Sequence, residues 1–133
     1  MKLKQLAFLT FVIACATGST TFAAPIKLTI EYYSDPAGNF IGTNEITIDG
    51  KQTPASVKDE VMNTTTKDLS VSKQQITSLQ LFYTGGLYNW SSLSNSNDFE
   101  NVLNHIGGTT IQNNATIIVS VQLNETNIEE NSL

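Results

Sequence analysis

The chain has 133 residues, with seven lysines, no arginine, twelve acidic residues, one histidine and one cysteine, and a formal charge of −5 at neutral pH. That length suits one domain with a modest core. The carboxylate surplus disfavours nucleic-acid binding, which relies on Lys and Arg to neutralise phosphates, and it disfavours anionic lipid surfaces for the same reason.

The first segment has the order of an export signal. Met1-Lys2-Leu3-Lys4-Gln5 is basic, Leu6 to Ala14 is apolar apart from Thr10, and small residues lead to Phe22-Ala23-Ala24-Pro25. Charge, apolar stretch and small-residue zone define a secretory signal peptide. The apolar stretch is about half of the ~20 residues that a bilayer-spanning helix needs. Cleavage after Ala23 gives a signal peptide over 1–23 and a mature chain with five lysines against twelve acids, a formal charge of −7. Val12-Ile13-Ala14-Cys15 also resembles a bacterial lipobox, with Cys15 as the lipidated residue. The alternative is that Cys15 is one more small apolar residue of the signal. The expected location is therefore secreted or periplasmic, or lipid-anchored at a membrane surface if Cys15 is modified. Cleavage after Ala23 leaves no cysteine, so packing rather than a disulfide must hold the domain. Four Asn-X-Ser/Thr sequons begin at Asn63, Asn89, Asn114 and Asn124. They carry glycans only in a host that glycosylates exported asparagines.

From Ile26 to Tyr33 the chain alternates, with Ile26, Leu28, Ile30 and Tyr32 on one face, which predicts a half-buried strand. Ser34 to Asn39 has turn chemistry. A second strand over about 40–49 turns Ile46 and Ile48 inward, so the two strands pair as an antiparallel hairpin. Thr53-Pro54 then reads as an N-cap followed by proline at the first helical position. Val57 and Val61 share a face, Lys58, Asp59 and Glu60 take the wet side, and the predicted helix of about ten residues stops at Asn63 and the threonines after it.

A third strand over 76–84 points Leu79, Leu81 and Tyr83 one way and Gln80 and Phe82 the other. Gly85-Gly86 predicts a turn, and Leu87 to Trp90 a short strand. Phe99, Val102, Leu103 and Ile106 share the face of a second short helix over 98–106, stopped by Gly107-Gly108. The last strand, 115–123, turns Ile117, Val119 and Val121 inward, and 124–133 is a polar acidic tail. Hairpin, helix, strands, short helix and closing strand predict an α+β domain over 24–123.

Several of these stretches resemble the ubiquitin-like, β-grasp family. Thr53 to Val61 is similar to the family's helix start, with a threonine cap before a Val-Lys pair. Leu81-Phe82-Tyr83-Thr84-Gly85 is similar to its third strand and glycine turn. Asn97 to Asn101 sits where the family has a short helical turn, and Ala115 to Val121 looks like its closing strand. The resemblance spans about 26–123. It implies a mixed sheet with one covering helix and a second short helix, and an exposed sheet face offered to a protein partner. The residues themselves carry no catalytic or metal-binding signature, so neither catalysis nor a cofactor is expected. On the predicted register that face carries Phe82, Ile118 and Ser120, with Thr47 nearby. Conjugated relatives end in Gly-Gly, whereas this chain ends Asn131-Ser132-Leu133. Its own glycine pairs precede the closing strand, so the family's conjugation route is not expected.

Other candidates for chemistry are sparse. His105 lies late in the second helix, where a histidine complements the helix C-terminus. Asp98 and Glu100 fall on different faces of that helix. Asp35 to Asn39 is a weak echo of a calcium loop whose spacing misses the EF-hand pattern, so no metal is expected. Tyr83, Tyr88 and Trp90 cluster in sequence. Tyr88 and Trp90 either stack on a sugar, which makes the protein a glycan-binding module, or pack at the edge of the core with a polar tip wet.

Overall fold

The computed structural model describes residues 25–35, 37–112 and 114–124. The segment 1–23 read as a signal peptide, with Cys15, lies outside the described residues, as does the predicted tail 124–133 except for Asn124, which ends the last strand.

Alternation builds the first hairpin. In β1 (Pro25–Asp35) Ile26, Leu28, Ile30, Tyr32 and Ser34 are buried and the residues between them are not. β2 (Asn39–Asp49) runs antiparallel to it, from Pro25↔Asp49 to Ser34↔Asn39, and buries Ile48 and half of Ile46. Gly38, at φ +72°, closes the turn by donating its N–H to Ser34 O at 2.6 Å. The Asp35 carboxylate accepts a hydrogen bond from the Thr77 hydroxyl.

α1 spans Pro54–Leu69. Thr53 Oγ1 accepts from Ser56 N at 3.2 Å and Pro54 opens the first turn, as the sequence predicts. The helix is 16 residues long, rather than about ten. Val57, Val61 and Thr65 recur every four residues and are all fully buried. The Thr65 hydroxyl donates to Val61 O at 2.8 Å, and Thr66 Oγ1 to Asn63 O at 3.0 Å. The polar atoms that weaken an isolated helix are thus satisfied inside it, and burial of the face overrides the low propensity of the threonine run. The helix ends at Ser70, in the left-handed region, whose N–H donates to Thr66 O.

β3 (Ile76–Tyr83) buries Leu79, Leu81 and Tyr83. The turn to β4 (Gly86–Asn89) consists of Thr84 and Gly85, both at positive φ, +52° and +82°. Gly86 therefore begins the strand instead of sitting in the turn. A β-carbon there would come 2.5 Å from Tyr88 Oη, so the missing side chain makes room for that ring. α2 (Phe99–Gly107) starts on Asp98, whose carboxylate accepts from Asn101 N at 2.9 Å. Its free N–H groups are taken up by the loop after β2: Phe99 N donates to Gln52 O at 2.6 Å and Glu100 N to Gly50 O at 2.9 Å. Such donors have no partner within a helix and need one outside it.

β5 (Ile117–Asn124) lies parallel to β1 and antiparallel to β3, giving a mixed five-stranded sheet in the order β2-β1-β5-β3-β4. The first and last strands are thus neighbours in the middle of the sheet. One face of the sheet and the two helices enclose the core, where Leu28, Ile30, Leu81, Val119, Val121 and Leu123 meet Val57, Val61, Phe99 and Leu103, all fully buried. The other face has no element over it among the described residues. No described helix is long and apolar enough to cross a membrane.

Candidate functional site

The uncovered face reads as successive rows across the strands, fixed by the pairing register. One row runs Glu45, Thr29, Ile118, Phe82, Leu87. The next runs Thr43, Glu31, Ser120, Gln80, Asn89. The third runs Phe40, Tyr33, Gln122, Ser78. Same-face neighbours along a strand are about 7 Å apart, so each row touches the next.

The first row is apolar over β5, β3 and β4. Phe82 is 41% exposed and Leu87 58%. Their cross-strand pairing, with Ile118 beside Phe82, makes one patch rather than scattered residues. The third row is aromatic at its β1–β2 end. Tyr33 and Phe40 meet edge-on, with centroids 5.7 Å apart and planes at 65°, and Phe40 is 59% exposed. The row between them is polar. Gln80 Nε2 donates to Asn89 Oδ1 at 3.1 Å, and Gln122 Nε2 reaches across to Ser120 Oγ at 3.3 Å. Tyr33 Oη donates to Glu31 Oε1 at 2.7 Å. That hydrogen bond, with partial burial and the Glu31 charge, raises the Tyr33 phenol above its ordinary pKa. The rows enclose an open depression of about 360 Å³ whose lining includes Glu31, Tyr33, Phe82, Leu87 and Ile118.

Three of the four residues singled out from the sequence, Phe82, Ile118 and Ser120, line this depression together. Thr47 shares the face but not the site. It pairs with Lys27 at the end of the sheet beyond the apolar row, on edge strand β2. Sequence reasoning missed Leu87, Glu31, Tyr33 and Gln80. Leu87 and Tyr33 were legible as the wet positions of alternating strands. Their meeting depends on the strand order, which joins β1 to β4 through β5 and β3.

The other pair singled out is split. Trp90 is 5% exposed and stacks on Phe99, with centroids 5.7 Å apart and planes at 15°. Its Nε1 donates to Pro54 O at 2.9 Å. The indole is buried, stacked on Phe99 and bonded at its polar tip, so Trp90 is a core residue and offers no surface to a sugar. Tyr88 is half-buried on the helix side of the sheet. It lines a separate groove of about 320 Å³ with Ser92, Leu93, Asn97, His105 and Ile106. His105 is exposed in the last turn of α2.

No protein-family model matches the chain, and no curated protein matches its sequence.

Proposed function

We propose that this is an exported ubiquitin-like domain of β-grasp type that binds a protein partner through the outer face of its sheet, without being conjugated. The strand order β2-β1-β5-β3-β4, with parallel central strands and α1 across one face, supports the fold reading. The export signal over 1–23 supports secretion or periplasmic delivery, with anchoring at Cys15 as the variant of that route. The observation that carries the binding reading is the pairing of Phe82 with Leu87 and Ile118 into one exposed apolar patch on an uncovered sheet face. Interfaces are built on such a patch with a polar surround. The proposal assigns the protein no catalytic step, metal or cofactor.

The test is affinity capture from extracellular or host extracts with the wild-type protein and Phe82→Asp. The expected result is a partner retained by the first and lost by the second, with superimposable thermal unfolding of the two proteins. Equal capture by both proteins would leave the face idle.

The glycan-binding alternative rests on one observation, the groove where Tyr88 meets Ser92, Asn97 and His105. It needs no contribution from Trp90. A glycan array probed with wild type and Tyr88→Ala separates it from the sheet-face reading, which predicts no glycan signal.

A further inference from the structure

We infer that the partner inserts a basic side chain, flanked by apolar residues, into the outer-face depression, where Glu31 is its counter-charge. This rests on the reading of that face as the partner-binding surface and specifies what binds there.

The charge pattern of the face carries the inference. Glu45, one row from Glu31, already pairs with Lys27, Nζ to Oε1 at 3.8 Å. Lys51 pairs with Asp98 across the loop–helix junction, Nζ to Oδ2 at 3.9 Å. Lys58 and Lys67 are on α1, behind the sheet, and Lys73 precedes β3. No lysine lines the depression, and Glu31 is in no ion pair among the described residues. Its hydrogen bond from Tyr33 is to Oε1, and Oε2 receives no donor among the described residues. This half-buried carboxylate stands in the central row, with Gln80 and Ser120 beside it in the same lining.

The surroundings suit a cation carried on a long apolar stem. Phe82 and Ile118 lie on one side of the carboxylate row, and Tyr33 with Phe40 on the other. A stem laid along Phe82 and Ile118 buries its methylenes while its head reaches the carboxylate. An arginine gains further from aromatic faces and from its planar fork. A strongly acidic chain also draws basic partners towards it before contact.

A phage-displayed library of random peptides, selected on the full chain as the host processes it, tests the inference. Selected peptides are then synthesised and titrated against wild type, Glu31→Gln and Phe82→Asp, with thermal unfolding of each variant as the folding control. Glutamine keeps an oxygen for the Tyr33 hydroxyl and removes only the charge. The expected outcome is peptides enriched in Arg or Lys beside aromatic or aliphatic residues and lost by Phe82→Asp. Glu31→Gln should weaken them about ten- to a hundredfold, as for a hydrogen bond to a charged group, and rising salt should weaken wild-type binding more steeply than that of Glu31→Gln. Peptides that Phe82→Asp loses but that lack a basic residue, or that bind Glu31→Gln equally well, overturn this inference and leave the sheet-face reading standing. Peptides that bind wild type and Phe82→Asp alike, or a library that yields no binder, overturn both.

Discussion

Trp90 Nε1 donates to the carbonyl of Pro54, 36 residues earlier in the chain, at 2.9 Å, while the indole stacks on Phe99. One side chain thereby ties the end of β4 to the first turn of α1 and the first turn of α2. Without a disulfide among its described residues, the domain depends on such long-range packing.

Trp90→Phe should therefore destabilise the fold by about 1–3 kcal/mol, the cost of leaving a buried carbonyl without its donor. Trp90→Ala should cost about 3–5 kcal/mol through the cavity as well. Denaturant unfolding followed by circular dichroism measures both. Native tryptophan emission should stay blue-shifted and unmoved by soluble sugars, and a sugar-dependent shift would contradict the core placement.

Tyr32 sets an alkaline limit on stability. It is 1% exposed, and its hydroxyl lies beside Asp68, Asn44 and Thr65 without a normal hydrogen bond to any of them. Burial first, and then the Asp68 carboxylate, pushes its pKa from 10 up to about 12. The unfolded chain loses this proton at lower pH than the folded one. The stabilisation is therefore complete below pH 10 and is lost as pH rises from 10 towards 12, by about 2–3 kcal/mol. Tyr32→Phe should flatten that decline. At pH 7 it should be neutral or stabilising by about 1 kcal/mol, because it removes a buried hydroxyl that lacks a partner. Urea midpoints measured from pH 7 to 12 test both statements.

Thr84 is a β-branched residue at φ +52° in the two-residue β3–β4 turn. That conformation costs an L-residue about 1–2 kcal/mol, and Asn-Gly is the favoured pair in such turns. Thr84→Asn should raise stability by about 1 kcal/mol without altering Phe82 or Leu87. A fall in the unfolding midpoint would show that the bond from Thr84 Oγ1 to Tyr83 O, 2.7 Å, matters more than the backbone preference.

The second half of α1 hangs on Thr65. Thr65→Val keeps shape and burial and removes a hydroxyl already satisfied by its own helix, so unfolding should shift by less than about 1 kcal/mol. Thr65→Asp buries a charge on the same face and should cost several kcal/mol, with loss of helical circular dichroism. Equal effects would place the helix end nearer Asn63.

Phe82→Asp should leave the unfolding midpoint within about 1 kcal/mol of wild type, since Phe82 is 41% exposed on the outer face. A larger loss would make it a packing residue and would weaken the partner-binding reading.

Much of the architecture was legible in the residues. Period-two alternation marked β1, β3 and β5, because each buries one face only, and Thr53-Pro54 and Gly107-Gly108 marked helix ends through capping chemistry, whereas Asp98, read as a helical residue, proved to be the N-cap of α2. The acidic, arginine-free composition and the export pattern over 1–23 likewise needed no coordinates. Tertiary structure decided the rest. It carried α1 through a threonine run, because burial against the sheet supplies more free energy than local propensity withholds. It took Trp90 inward, because Pro54 O and Phe99 arrive there only on folding. The outer-face site needed strand order above all. Alternation says which residues point outward, but only the placement of β5 between β1 and β3 brings Glu31 and Tyr33 beside Ile118 and Phe82. That order is set by non-local pairing, which no short window of sequence contains.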